Sequence, residues 1–309
     1  MLNDDDVKAL AGLQHRLSVV RDRVRGVALR HHTGFYLFGR PGTGKTYTVR
    51  RTLKDNGFSH YYQDGHLTPI GLFELLAEHR DRIIILDDIA EILKNPIALQ
   101  ILLAALGRQP GSTNAPRIVK YRRQGRNTSV RFSGGLILIS NLELHAAPLL
   151  EALKSRINYL CYDPSEDEIA ALMRDIASNG WPPARPTITP AEGMDIAAFL
   201  IAESKKRNYR LDLRLLVDKA FRDYLQHRNG QAETHWKDLV RATLDEQLIS
   251  LKHTKAAPKT RQSTKEAEHE LIRTIVAEHA ERADRVDAWM TLTGKSERAY
   301  YRRAAEIGL

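Results

Sequence analysis

The chain has 309 residues, of which 42% are hydrophobic and 28% charged, and its net charge is +9. These values are typical of a globular protein with about two domains, and the basic charge is compatible with a nucleic-acid partner. The single cysteine, Cys161, excludes an intrachain disulfide, and its apolar neighbours predict a small core residue. The acidic start contains no signal peptide, and no apolar run approaches a membrane span. We therefore expect a cytoplasmic protein with no membrane partner.

The first half of the chain alternates between predicted strands and predicted helices. Apolar spacings of three and four residues predict a helix over 7–30, and short apolar runs predict buried strands over 36–38, 59–62, 83–86 and 136–140. Further helices are predicted over 45–54, 68–76 and 96–106, and a polar turn joins 117–121 and 128–132 into a hairpin. This alternation predicts an α/β fold with a mostly parallel sheet flanked by helices.

The second half of the chain has helical signals only. After about residue 163, helices are predicted over 165–177, 190–206, 211–227 and 234–248. Residues 253–265 are polar, basic and without periodicity, which predicts a linker, and residues 266–309 are helical again. We therefore expect an N-terminal helix over 1–33, an α/β domain over 34–162, a helical unit over 163–252 and a small terminal module over 266–309.

Residues 39–46 match the pattern Gly-x-x-x-x-Gly-Lys-Thr between a predicted strand and a predicted helix. Gly42 and Gly44 allow the backbone to wrap closely around phosphates, and the helix N-terminus adds a positive dipole end. Lys45 is expected to reach the β- and γ-phosphates of ATP, and the Thr46 hydroxyl is expected to bind Mg²⁺. The predicted nucleotide contacts are Gly39, Pro41, Gly42, Thr43, Gly44, Lys45, Thr46 and Tyr47.

A pair of aspartates follows the predicted strand over 83–86. This strand delivers Asp87 to the magnesium shell, where it joins Thr46 as a metal-site residue. Asp88 is one residue further along and is suited to orienting or deprotonating the attacking water. The plain alternative is an aspartate pair that caps a strand end, and the phosphate loop upstream disfavours it.

Because the chain contains both the phosphate loop and the aspartate pair, residues 30–250 resemble the AAA+ family of P-loop ATPases. The resemblance implies a P-loop NTPase sheet followed by an all-helical lid, and it implies that the chain is an ATP hydrolase. Most relatives carry glutamate where this chain has Asp88, and the shorter side chain implies slow hydrolysis or a bridging water.

The resemblance also implies roles for three residues outside the loop. Asn141, at the end of the strand over 136–140, corresponds to the sensor 1 residue that hydrogen-bonds the water or the γ-phosphate. Arg156 resembles the arginine finger, which reaches the γ-phosphate of a neighbouring subunit, and Arg214 resembles the sensor 2 arginine, with Arg210 as its rival. For each arginine a salt bridge is the alternative. A finger supplied in trans implies a homo-oligomer, and the family forms rings or spirals, often of six subunits.

The predicted hairpin resembles one that a large branch of the family inserts before sensor 1, where it faces the central pore. It carries Lys120, Arg122, Arg123 and Arg126, with Tyr121 interleaved, which suits contacts with DNA phosphates and stacking on a base. A solvated hairpin without a partner is the alternative. The loop over 63–67 lacks the aromatic pore residue of protein-unfolding relatives, which disfavours a threading unfoldase.

The terminal module has the layout of a helix-turn-helix. A predicted helix over 285–292 is followed by a turn at 293–295, and Ser296 caps a second helix. The predicted DNA contacts on this second helix are Lys295, Arg298, Arg302 and Arg303. A small protein-docking domain is the alternative.

Three functions follow from these features. The first is an oligomeric AAA+ ATPase that couples ATP hydrolysis to remodelling or loading of DNA or DNA-bound complexes. The second is an ATP-driven chaperone whose terminal module docks a protein client. The third is a nucleotide-gated transcriptional regulator, which slow hydrolysis at Asp88 would suit.

Overall fold

The computed structural model describes residues 2–107, 115–123, 126–144, 147–255, 261–279, 281–293 and 295–308. It divides the chain into two compact units, Met1–Ala242 and Thr243–Leu309. Residues 256–260, in the predicted linker, lie outside the described residues, and the predicted domain boundaries stay predictions. Among the described residues, no helix is long and apolar enough to cross a membrane.

The first unit contains seven described strands. They are β1 (Gly34–Phe38), β2 (His60–Gln63), β3 (Ile83–Asp87), β4 (Arg117–Arg123), β5 (Arg126–Phe132), β6 (Gly135–Ser140) and β7 (Asn158–Cys161).

Helices surround these strands and form the rest of the unit. They are α1 (Asp4–Ala28), α2 (Lys45–Asp55), α3 (Pro69–Glu78), α4 (Ala90–Lys94), α5 (Pro96–Leu106), α6 (Pro148–Lys154), α7 (Glu166–Ser178), α8 (Pro190–Lys206) and α9 (Phe221–Arg228). A π-helical segment, Leu215–Ala220, precedes α9, and α10 (Trp236–Lys255) begins in this unit.

Five parallel strands form the main sheet, in the order β2-β3-β6-β1-β7. Strand β6 therefore lies between β1 and β3, with Ser140 opposite Phe38 and Ile139 opposite Asp87. Because parallel strands end at the same edge, this order brings the residues that follow β1, β3 and β6 together. Strands β4 and β5 form a separate antiparallel pair, as the hairpin prediction requires.

The main sheet is apolar on both faces. Alternate residues of β1, Tyr36 and Phe38, join a core with α3 and α5, while Phe35 and Leu37 join a second core with α1 and α2. Burial on both sides is the reason that these strands read as continuous apolar runs. The sheet, its flanking helices and the helical part after β7 confirm the predicted α/β P-loop fold.

Three short elements, β7, α4 and α6, were not predicted from the sequence. Strand β7 is an edge strand that pairs with β1, and Cys161 at its end is exposed, so the prediction that Cys161 lies in the core is wrong. Helix α4 has five residues, too few for a periodicity to show. Strand β7 pairs with β1, and α4 and α6 bury Ile92, Leu93 and Leu153 in the core, so tertiary contacts rather than a local pattern mark these elements.

The second unit contains α11 (Arg261–Glu278), α12 (Arg282–Thr293) and α13 (Glu297–Glu306). Their buried residues form one core, which consists of Ile272, Ile275, Trp289, Tyr300 and Ala304. Helices α12 and α13 follow the order predicted for the terminal module. Residue 294, the glycine of the predicted turn, lies outside the described residues.

Candidate nucleotide site and basic surfaces

The phosphate loop connects the end of β1 to the start of α2, as the sequence predicts. Gly44 caps α2 with φ 87°, in the left-handed region that favours glycine. At Gly42, a Cβ atom would lie 2.3 Å from the Asp212 side chain. The two glycines therefore allow a close wrap of backbone that other residues would prevent, which is the cradle that phosphates require.

Lys45 is buried within this loop, with 6% of its surface exposed. Its Nζ donates to the carbonyls of Gly39 at 2.7 Å and Arg40 at 2.6 Å, and to Asn141 Oδ1 at 3.1 Å. Burial lowers the pKa of Lys45 to about 8. The lysine and the predicted sensor residue Asn141 are thus in direct contact, although 96 positions separate them.

Asp87 is held by three hydrogen bonds at the end of β3. Its Oδ2 accepts from the Thr46 hydroxyl at 2.6 Å and from the Tyr62 hydroxyl at 3.0 Å, while its Oδ1 accepts from the Asp88 amide at 3.0 Å. Burial and the neighbouring Asp87 raise the pKa of Tyr62 to about 12. The hydroxyl of Thr46 and the carboxylate of Asp87 are the hard oxygen donors that suit Mg²⁺.

Tyr62 is a site residue that the sequence analysis did not identify. It lies on β2, next to β3 in the sheet, and the Arg50 guanidinium lies 4.6 Å from the centre of its ring. The available signal was an aromatic residue near the end of a predicted strand, which gives no indication of its partner.

Asp88 is exposed and has φ 56°, a left-handed conformation that aspartate tolerates better than most residues. Its amide lies 3.2 Å from the Ile139 carbonyl of β6 as well as bonding to Asp87. This conformation places Asp88 and Asn141 around the same cavity. A strained backbone at such a position is typical of functional sites.

The cavity above the loop has a volume of about 1300 Å³. All but one of the predicted nucleotide and catalytic residues of the loop and the neighbouring strands line it: Pro41, Gly42, Thr43, Gly44, Lys45, Thr46, Tyr47, Asp87, Asp88 and Asn141. Gly39 contributes its carbonyl to Lys45 instead. The cavity is therefore large enough for a nucleotide and has the predicted polar groups at the loop.

Arg214 also lines this cavity, from the helical part of the unit. The neighbouring Leu213 amide donates to the Gly42 carbonyl at 2.9 Å, which holds this segment against the phosphate loop. Arg210, the alternative candidate for the sensor 2 role, instead has its Nε 3.5 Å from a Glu166 carboxylate oxygen. The structure thus brings Arg214, rather than Arg210, to the cavity.

Arg156 lies elsewhere. It is exposed just after α6, it donates to the Leu103 carbonyl near the end of α5, and it is not among the described residues that line the cavity. The described lining of the cavity in one chain therefore does not contain Arg156 of that chain.

The hairpin of β4 and β5 has one buried and one exposed face. Val119 and Val130 join the sheet core, and Tyr121 packs against Phe73 with ring centres 5.5 Å apart. Tyr121 is therefore partly buried by packing, and its predicted stacking on a base stays a prediction. The exposed face carries Lys120, Arg122 and Arg131, of which Arg131 was not identified from the sequence.

Arg123 and Arg126 pair with each other at the end of the hairpin ladder. Their side chains lie outside the described residues. Their predicted contacts with DNA stay predictions.

The four basic residues predicted on the terminal module fall into two groups. Arg298 and Arg302 are exposed on α13. Lys295 and Arg303 instead form ion pairs with the buried Glu268 of α11, and the Arg303 bond is 2.6 Å long. This second pair has a role within the module that the sequence analysis did not foresee.

Comparisons with known proteins give no close relative. No family model matches the chain, and no curated protein is significantly similar to it. Among solved structures, the chain is similar to a variant of RuvB from Thermotoga maritima, with 14% identity, 96% of this chain and 87% of that chain covered, and a TM-score of 0.43. It is also similar to katanin, in a structure that concerns katanin self-assembly, with 16% identity, 70% and 69% covered, and a TM-score of 0.42.

The strand order, the loop after β1 and the helical part after β7 are properties of this chain itself. They confirm the predicted P-loop fold with a helical part after the sheet.

Proposed function

We propose that this chain is an oligomeric AAA+ ATP hydrolase that couples hydrolysis to the remodelling or loading of DNA or of DNA-bound complexes. One observation supports the hydrolase above all others. At one edge of the sheet, Lys45 contacts Asn141, and Thr46 contacts Asp87, within a cavity that Asp88 also lines. This is the set of groups that phosphoryl transfer to water needs.

Each group has a role that its position supports. The loop amides and Lys45 bind the β- and γ-phosphates, and Thr46 with Asp87 would hold Mg²⁺, which would neutralise charge at the phosphates. Asn141 and Asp88 orient the attacking water, and Asp88 accepts its proton. Arg214 adds a positive charge from the helical part.

The oligomeric part of the proposal depends on Arg156. This arginine is exposed and does not line the described cavity of its own chain, and it can reach a second copy once it leaves its hydrogen bond to the Leu103 carbonyl. A guanidinium at the γ-phosphate raises the rate of other P-loop enzymes about 10³–10⁵-fold. We therefore propose that the active site is completed between subunits.

The DNA part of the proposal is supported by two exposed basic surfaces. One is the outer face of the hairpin, with Lys120, Arg122 and Arg131, and the other is the pair Arg298 and Arg302 on α13. Lysine and arginine at such positions neutralise phosphates and release counterions.

The direct test is the rate of ATP hydrolysis by the full chain with and without DNA, together with DNA binding at low salt. We expect DNA to bind and to raise the rate. If the chain hydrolysed ATP but bound neither single-stranded nor double-stranded DNA, the DNA part would be wrong and a protein remodeller would be favoured. If it did not hydrolyse ATP under any of these conditions, the hydrolase itself would be wrong.

A further inference from the structure

Arg40 occupies the second position of the phosphate loop, but its side chain contacts the helical part of the unit. Its Nε lies 3.1 Å from an Asp163 carboxylate oxygen, one terminal nitrogen donates to the Pro164 carbonyl at 2.6 Å, and the other donates to Glu166. Only 11% of the side chain is exposed. The guanidinium thus binds three groups in the short segment that leads into α7.

Glu166 extends this connection to the segment that carries Arg214. Its second carboxylate oxygen accepts from the Leu211 amide at 2.7 Å. Two residues later, the Leu213 amide donates to the Gly42 carbonyl of the phosphate loop. Residues 211–214 are therefore attached to the loop twice, once directly through Gly42 and once through Arg40 and Glu166.

The main chain of Arg40 has a separate role in the loop. Its carbonyl accepts from Lys45 Nζ at 2.6 Å and from the Thr43 hydroxyl at 3.1 Å. A bound phosphate competes with this carbonyl for the Lys45 ammonium. One residue thus connects the phosphate-binding lysine to the segment that brings Arg214 to the cavity.

We propose that Arg40 is a positioning residue that acts through Glu166 to fix residues 211–214 against the phosphate loop, and so places Arg214 at the nucleotide. Its planar guanidinium donates to Glu166 and to the Pro164 carbonyl at once and forms an ion pair with Asp163, which a lysine ammonium cannot reproduce in the same geometry. The consequence for hydrolysis rests on the proposed function. The positioning itself concerns contacts that exist without nucleotide.

The first test is amide hydrogen exchange of the nucleotide-free full chain. In Arg40→Ala we expect the amides of Leu211 and Leu213 to exchange at least about tenfold faster, which corresponds to about 1.4 kcal/mol. The matched control is Arg228→Ala, because Arg228 also binds a carboxylate, Glu192, and a carbonyl, Thr187, without lining the cavity. Unchanged exchange at residues 211–213 in Arg40→Ala, or an equal increase in the control, would overturn the proposal.

A conservative variant guards against a trivial loss of folding. Arg40→Lys keeps the positive charge but not the planar guanidinium, so we expect it to accelerate exchange at residues 211–213 about as much as Arg40→Ala, with an unchanged melting temperature. Exchange in Arg40→Lys at the rate of the unmodified chain would contradict a role of the guanidinium.

The second test uses hydrolysis. We expect Arg40→Ala to lower kcat more than it weakens ATP binding, and to have no further effect on kcat in an Arg214→Ala background, because both changes remove the same interaction. Additive effects would show that Arg40 does not act through Arg214. If the unmodified chain hydrolysed no ATP, the proposed function would fail, whereas the exchange experiment would still decide the role of Arg40.

Discussion

Lys45 shows how burial changes the chemistry of a single residue in this protein. The fold removes its ammonium from water and gives it two carbonyls and an amide oxygen, so desolvation lowers its pKa to about 8. A lowered lysine pKa means that the folded protein binds fewer protons than the unfolded chain between about pH 8 and pH 10.5. The cost of burying the charged lysine is therefore present below pH 8 and is relieved as the pH rises through this window.

This pKa predicts proton uptake when ATP binds. The triphosphate favours the charged ammonium and raises its pKa, so at about pH 9 we expect up to about one proton to be taken up per ATP, and little uptake at about pH 7. Calorimetry in buffers of different ionisation enthalpy measures this number. An uptake near zero at about pH 9, or an equal uptake at about pH 7 and pH 9, would show that Lys45 does not take up the proton.

At the residue scale, the sequence predicted what depends on local spacing. The loop residues from Gly39 to Thr46, and the two aspartates, follow recognisable patterns, and all but Gly39 and Arg40 line the cavity. Tyr62 and Arg40 were missed because their partners lie 25 and 126 positions away. Only the fold shows which hydroxyl reaches Asp87 and which carboxylates surround Arg40.

At the scale of elements, the hairpin allows a test of DNA binding that does not disturb the core. The exposed face carries Lys120, Arg122 and Arg131, whereas Val119 and Val130 point into the core. We expect Lys120→Ala/Arg122→Ala/Arg131→Ala to weaken DNA binding, and to lower the slope of log affinity against log salt by about three, with an unchanged melting temperature. Fluorescence anisotropy over a salt series measures both quantities.

The control for this triple variant is Arg228→Ala, which removes a positive charge from the helical part. It should leave the salt slope unchanged. An equal loss of affinity in both proteins would mean that the chain binds DNA through its overall charge rather than through the hairpin.

Helix α13 yields a second prediction at this scale, because its basic residues have different partners. We expect Arg298→Ala and Arg302→Ala to weaken DNA binding without changing stability, since both side chains are exposed. Glu268→Gln should lower the melting temperature of the second unit by several degrees, because it removes the carboxylate charge that Lys295 and Arg303 share. Circular dichroism and anisotropy together separate the two effects.

A loss of DNA affinity in Glu268→Gln at a temperature where the unit is folded would contradict the assignment of Glu268 to stability and of Arg298 and Arg302 to DNA binding. So would unchanged affinity in the Arg298 and Arg302 variants.

The elements themselves could be predicted where their pattern is long. Helices α5 and α8 begin and end where the sequence predicts, because proline at the first turn and cap residues mark their starts. Strand β7 was missed because it is a four-residue edge strand that depends on pairing with β1. The packing of Tyr121 against Phe73 was not predicted, because the alternation in a hairpin does not reveal which face is covered.

At the scale of the whole molecule, the proposal that Arg156 serves a second copy predicts complementation. Arg156→Ala should lower hydrolysis about 10³-fold or more while retaining ATP binding, and Lys45→Ala should lose phosphate binding. A mixture of the two variants should be more active than either alone, because the Lys45 variant supplies Arg156 to a neighbour with an intact loop. A mixture whose activity equalled the average of its components would contradict a site shared between subunits.

The central claim is that the loop from Gly39 to Thr46, with Asp87 and Asp88, hydrolyses ATP. The most direct measurement is the release of phosphate from ATP with Mg²⁺ by the unmodified chain and by Asp88→Asn, alongside ATP binding by both. We predict release by the unmodified chain and a loss of release in Asp88→Asn with ATP binding retained, because this change removes the group that accepts the proton from water. Equal rates in the two proteins, or no release by the unmodified chain, would contradict the claim.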